Sequence, residues 1–196
     1  MKLMYGLALS GLMAMNAQAG WSLNEGADLT FLSTKIFTDQ RTVTEQSRFS
    51  TVSGAVSDAG KLELSIDLSS VSTGIGIRDQ RLRDWVFEDQ RYQTAEISAQ
   101  IDIARVNALQ AGQSLRVQQS LNLSVRGHSL PLNADILLQR MSDGEIQVVT
   151  LSPLVLDTAS MTMNQGVEQL VEVMGLAVIV TQVPVMFSGT FSQNPA

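Results

Sequence analysis

The chain has 196 residues, 44% of them hydrophobic and 5% aromatic, with a formal net charge of −6 and no cysteine. An acidic surface disfavours nucleic acid and anionic lipid surfaces as partners, and the lack of Cys excludes disulfides, thiol chemistry and an acylated N-terminal Cys. A single His leaves imidazole proton transfer and the usual Zn ligand sets almost without donors.

Residues 1–19 read as a secretory signal: Lys2 supplies the positive start, residues 3–15 the apolar run, and Ala17-Gln18-Ala19 the small-x-small cleavage pattern. Cleavage after Ala19 leaves residues 20–196 as one domain in the periplasm or outside the cell. The apolar run is shorter than the roughly 20 residues that a spanning helix needs, and no later stretch is longer, so no integral membrane segment is expected.

Beyond the signal, period-2 alternation dominates. Residues 21–23 and 29–37 are the first strands, with Leu29, Phe31 and Ser33 on one face and Thr30, Leu32 and Thr34 on the other. Residues 42–56 are expected as one long strand, and Ser57-Asp58-Ala59-Gly60 turns it into the strand 61–68. A charged connection follows, in which Leu82, Trp85 and Val86 have the i, i+3, i+4 spacing of a short amphipathic helix. Ala95, Ile97, Ala99, Ile101 and Ile103 then alternate along a strand 94–104, before a loop near 108–113. The longest alternation, 114–126, turns at Gly127-His128-Ser129 into a strand over 130–141, and Ser142-Asp143-Gly144 leads to another over 145–156.

Residues 164–174 break the pattern. Val167, Leu170, Val171 and Met174 share a helical face, and Gly175 is a C-cap. A closing strand spans 183–191, with Pro184 pointing to an edge or a bulge. About eight antiparallel strands and two short helices give an all-β barrel or sandwich, and periodicity does not choose between them.

Two motifs do choose. The run VSTGIGIRDQRLRDWVFEDQRYQTAEIS, beginning at Val71, resembles the signature of the YceI-like proteins: a strand ending in Val-x-Thr-Gly, an Arg-Asp-x-x-Leu helix, and an aromatic-acidic stretch into the next strand. LSVRGHSLPL, beginning at Leu123, is similar to the family's Leu-Thr-x-x-Gly-x-x-x-Pro-Val hairpin, with Leu123, Gly127, Pro131 and Leu132 in register. Arg81 stands where the family often has His, Gln93 where it usually has Pro, and Leu156-Asp157-Thr158-Ala159-Ser160 near where it carries Arg-Ser-Asp-Phe-Gly. The resemblance implies an extended lipocalin-like antiparallel β-barrel with a helix at its opening.

Little in the chain offers catalysis. His128 is expected as a solvated turn residue. Asp79 and Asp84, among Arg78, Arg81 and Arg83, are expected to form i, i+4 ion pairs on a wet helix face. Met161 and Met163 would lie on one face of a strand, where core packing is preferred over a Cu(I) site. A lipid-acting enzyme would need an inward carboxylate of raised pKa, and the inward positions assigned here carry none. No catalytic residue, metal or cofactor is therefore expected.

The aliphatic inner faces and the resemblance together point to an exported binding protein. It would hold a long-chain isoprenoid, polyprenyl or quinone-like, as carrier or store. The lining candidates are Phe31, Phe49, Leu64, Ile66, Ile97, Ile101, Leu121 and Leu123. Burial contributes about 0.8 kcal/mol per methylene, so a long tail needs no polar contact. Arg78, Arg81 and Arg83 would edge the mouth, within reach of a phosphate or quinone oxygen, and Trp85 and Phe87 would plug the space beneath the helix. The alternative is a ligand-free structural or interaction protein of the bacterial envelope, whose helix at 164–174 covers the mouth or forms the face of a homodimer.

Overall fold

The computed structural model describes residues 20–195, and the alternating segments become thirteen strands of one antiparallel sheet. The signal read at 1–19 lies outside the described residues. The strands are β1 (Gly20–Leu23), β2 (Asp28–Phe37), β3 (Thr42–Phe49), β4 (Val52–Ser57), β5 (Lys61–Asp67), β6 (Val71–Ser72), β7 (Thr94–Gln100), β8 (Ser114–Val125), β9 (His128–Ser142), β10 (Glu145–Thr150), β11 (Leu154–Asp157), β12 (Leu176–Ile179) and β13 (Gln182–Gln193). Eight of them, β1-β4-β5-β7-β8-β9-β10-β13, close into a barrel when Trp21 of β1 pairs with Gln193 of β13.

Several expected strands are present but broken, and the breaks separate the two ends of the barrel. Residues 42–56 divide at Ser50-Thr51 into β3, which pairs with β2, and β4, which crosses to β1 and β5. The freed donors are satisfied by a short 3-10 turn, Leu68–Ser70: Ser50 N–H donates to the Ser70 carbonyl (3.2 Å) and Thr51 N–H to Ser70 Oγ (3.1 Å). Residues 145–156 divide at Leu151-Ser152-Pro153 into β10 and β11, because Pro153 has no N–H for the ladder. Both halves still pair with β13, whose Pro184 faces Val155 of β11 and lies one residue outside the β13–β2 register. Pro184 is thus on an interior strand rather than an edge, at a place where pairing is one-sided.

The β8–β9 turn is tighter than expected. Val125 pairs with His128, leaving Arg126 (φ 50°) and Gly127 (φ 79°) as a two-residue loop with both φ positive, the twist-matched hairpin connection. His128 accordingly begins β9.

Three helices are present among the described residues where two were expected. α1 (Gly76–Arg81) runs directly into a π-helical turn, Leu82–Phe87, and α3 (Asn164–Met174) has the predicted bounds, ending at Gly175 with φ 61°. α2 (Ile103–Asn107) takes the end of the expected strand 94–104: the Asp102 carboxylate accepts the Arg105 N–H (3.2 Å) as an N-cap, so β7 stops at Gln100. Residues 176–179, given no element by the sequence reading, pair with β2 as β12.

Burial follows the two ends. One core cluster gathers Leu29, Ile66, Leu68, Val86, Leu123, Met161, Met163 and Leu170 under the π-helical turn and α3. The other gathers Trp21, Leu62, Leu64, Val106, Ile146 and Phe191 where the barrel closes.

Candidate functional site

Inward side chains of β2, β5, β7, β8 and β9 do not meet in the middle of the α1–α3 end. They enclose a cavity of about 240 Å³ whose wall is aliphatic and aromatic apart from the hydroxyls of Ser33, Thr150 and Thr158. Of the eight residues expected to line it, Phe31, Phe49, Leu64, Ile66, Ile97, Leu121 and Leu123 do. Ile101 does not. With β7 ended at Gln100, Ile101 turns toward a second space of about 250 Å³ at the other end, shared with Trp21, Ile103 and Val106. That space lies where β8 has lost β7: their pairing runs only from Glu96↔Ser124 to Ser98↔Asn122. Leu62, Ile136, Val148 and Phe191 border both spaces.

The roof contributes lining residues that the strand pattern could not indicate. Leu82, Val86 and Phe87 descend from the π-helical turn, Val167 and Leu170 from α3, and Met161 and Met163 from the bend between β11 and α3. Their signal in the sequence was the helical spacing of 82/86 and 167/170. Phe87 forms part of the wall, its ring centroid 5.4 Å from that of Phe49, which lies 5.5 Å from Phe31. Trp85 packs beside the cavity without lining it, and the Arg81 guanidinium sits 5.6 Å from its ring centroid. The two methionines are on a turn rather than a strand. Thr162 between them has φ 54°, and both are 4% exposed, packed into the roof.

The roof is held down by specific contacts. α3 lies so close to the π-helical turn that a Cβ on Gly166 would stand 2.0 Å from the Trp85 carbonyl oxygen. Arg126, at the tip of the β8–β9 hairpin, donates through Nη1 to the carbonyls of Val86 (2.9 Å) and Thr162 (3.0 Å) and pairs through Nη2 with Glu88. His128, expected in solvent, instead bonds through Nε2 to Thr162 Oγ1 at 2.9 Å.

At the rim the charges are arranged differently from the expected i, i+4 pairs. Asp79 accepts from Thr73 N–H (2.7 Å) and Thr73 Oγ1 (2.6 Å), fixing the approach to α1. Arg78 reaches across to β3, where its Nη1 is 2.8 Å from Glu45 Oε2, and Lys35 of β2 pairs with the same carboxylate. Glu45 is opposite Ser33 and shares the inward face of β3 with Phe49, so an inward carboxylate does exist, at the rim. Lys35 is buried, and that burial, followed by the like charge of Arg78, holds its ammonium below the usual lysine range despite Glu45. Arg83 and Asp84 form no ion pair among the described residues.

A curved antiparallel barrel, a roof of two helical segments and a nearly hydroxyl-free cavity are the features against which known proteins can be compared. Residues 24–191 match the sequence model of the YceI-like domain. The chain belongs to the YceI-like family. It is similar to a polyisoprenoid-binding domain from Saccharophagus degradans, with 35% identity over 89% of this chain and 99% of that one and a TM-score of 0.84. BcnA of Burkholderia cenocepacia, at 13% identity over 84% of this chain and 95% of its own, with a TM-score of 0.62, shares the fold. No curated protein sequence matches the chain. The lipocalin-like barrel expected for a YceI-like chain is the fold observed. No helix among the described residues is long and apolar enough to cross a membrane.

Proposed function

We propose that the protein binds a long-chain isoprenoid lipid in the cavity beneath the π-helical turn and α3, and carries or stores it in the bacterial periplasm after export. The observation that carries this reading is the wall itself: a cavity of about 240 Å³ with three hydroxyls as its polar groups offers nothing to a sugar, peptide or nucleotide and everything to a hydrocarbon. The similarity to a polyisoprenoid-binding domain supports the isoprenoid class. Affinity comes from burial, about 0.8 kcal/mol per methylene, and branched methyls suit a wall built from Leu, Ile, Val and Phe.

The test is native mass spectrometry of the protein purified from its own host, followed by organic extraction of whatever is released. An isoprenoid-sized mass in stoichiometric amount is expected. Leu121→Trp, which places an indole in the cavity from a half-buried position, should abolish that mass while leaving the strand content unchanged. A protein that emerges empty and takes up no added isoprenoid overturns the reading in favour of a filled barrel that serves as an interaction protein.

A further inference from the structure

On the outside of the barrel, β4, β5 and β7 border a third space, of about 460 Å³. Ser53 faces Ser65 across β4–β5 and Asp67 faces Thr94 across β5–β7, on the side opposite Leu64, Ile66 and Ala95, which line the apolar cavity. The segment leaving the π-helical turn closes the space with Asp89, Gln90 and Gln93. Its wall is the chemical inverse of the cavity: two carboxylates, five hydroxyls and two amides, with no lysine, arginine or histidine.

Asp89 is the anomaly in that wall. It is 8% exposed, and its Oδ1, shielded from solvent, accepts no hydrogen bond among the described residues. A carboxylate held out of water without a donor is costly, so the position favours a positive partner. Asp67 is fixed differently. Its Oδ1 accepts from Ser69 N–H (2.9 Å) and Ser69 Oγ (2.7 Å), which orients the carboxylate while leaving Oδ2 uncommitted among the described residues. Neither aspartate forms an ion pair among those residues.

The donor set narrows the partner to one class. Two carboxylates balance one divalent cation, and no third Asp, Glu, His or Cys joins them among the described residues, so hydroxyls, amides and water must complete the shell. Oxygen ligands alone suit Ca²⁺, which takes about six to eight of them in flexible geometry, whereas Zn²⁺ and Cu⁺ favour nitrogen or sulfur and Mg²⁺ demands a near-ideal octahedron.

We propose that Asp67 and Asp89 bind a calcium ion on the outside of the barrel, within the hydroxyls and amides that surround them. The ion ties residues 88–93 to the end of β5 and the start of β7, and so anchors the π-helical turn from outside. This site stands apart from the isoprenoid reading and does not depend on what the cavity holds.

The experiment titrates calcium chloride into the purified, chelator-treated protein by calorimetry and follows thermal unfolding by circular dichroism with and without the ion. One ion per chain should bind with a dissociation constant of about 10⁻⁴–10⁻³ M, the range of extracellular modules, and saturation should raise the unfolding midpoint by about 2–5 °C. Asp89→Asn, which keeps the shape and removes the lone charge, should weaken binding at least about tenfold and abolish the rise. Asp67→Asn, which keeps an oxygen for the Ser69 donors, should do the same, and it decides alone if Asp89→Asn does not fold. Asp58→Asn, exposed on the β4–β5 turn, should leave both readouts unchanged.

No saturable heat with the wild type would overturn the site, as would a calcium-dependent rise that both variants keep. Magnesium chloride or sodium chloride at matched ionic strength, raising the midpoint as much as calcium does, would show general screening of an acidic surface and overturn it too.

Discussion

Where β1 meets β13 the barrel is closed strand to strand, and Trp21, 3% exposed, Ile146 and Phe191 pack inside it beside the second space of about 250 Å³. At the other end β3 and β4 have separated, β10 and β11 have separated, and helical segments cover the gap. Each end thus holds a space of similar size, about 240 and 250 Å³, but the one under the helical segments has three hydroxyls as its polar groups, whereas the one beside Trp21 is also lined by Gln100, Asp102, Arg105, Gln118 and Gln119. The difference lies in how each end is held: the closed end is tied by the β1–β13 and β10–β13 ladders although β7 and β8 part beyond Ser98↔Asn122, whereas the ring opened at Ser50-Thr51 and Leu151-Pro153 is covered by helical segments that can separate from it. Stability should therefore reside mainly in the closed end and ligand exchange in the covered end.

The largest expected effect tests the closed end. Trp21→Ala removes an indole from a site bordered by Val106, Ile146 and Phe191 and takes away the ring 4.9 Å from the Arg140 guanidinium. It should cost about 3–5 kcal/mol of unfolding free energy in urea titration. Leu170→Ala in α3, also 5% exposed, should cost less globally if the roof opens on its own. Equal losses in one cooperative transition would erase the distinction between the two ends.

Arg126→Met comes next. It removes two hydrogen bonds to carbonyls on opposite sides of the roof and the pairing with Glu88, and bonds from a charged donor contribute roughly 1.5–3 kcal/mol. Hydrogen exchange should accelerate in α3 and residues 82–87 while β8 and β9 keep their protection. Acceleration throughout the barrel would mean that the roof and the ring unfold as one unit.

Gly166→Ala sharpens the same contrast with a smaller change. The added methyl would meet the Trp85 carbonyl at 2.0 Å, so α3 must lift, at a cost of about 1–3 kcal/mol. Faster loss of bound lipid is expected in a dilution assay. Unchanged release would show that α3 is not on the exit route.

How much of this contrast was legible depends on what kind of order each residue belongs to. The β8–β9 pair was readable because half-buried and exposed positions alternate from Ser114 to Ser120 and from His128 to Asn133, and α3 because Val167, Leu170 and Gly175 mark a face and an end. α2 was not, because Ile101 and Ile103 continue the alternation of β7 and only the capping carboxylate of Asp102 reverses it. Local pattern favoured a strand; the cap decided otherwise. Lys35 lay one step further along the face that holds Leu29, Phe31 and Ser33, so its inward direction was available from alternation. What was not available was its meeting with Glu45 and Arg78. That depends on the β2–β3 register and on the placement of α1, neither of which is encoded by period.

The pH response of Lys35 is the smallest effect and the most direct test of the covered end. Burial and then Arg78 lower its pKa in the folded protein, while the unfolded chain titrates near the ordinary lysine value of about 10.4. Between those two values the unfolded state binds more protons, so this residue makes the protein more stable as pH rises. Below the folded value the charged lysine is a constant liability. Unfolding free energy of the wild type minus that of Lys35→Met, measured in urea at successive pH values from neutral upward, should therefore increase through the alkaline window. A decrease would mean that pairing with Glu45 outweighs burial and that the folded pKa is raised. In that event the Lys35–Glu45 pair at the rim would stabilise the covered end when charged, and its loss at alkaline pH would loosen that end.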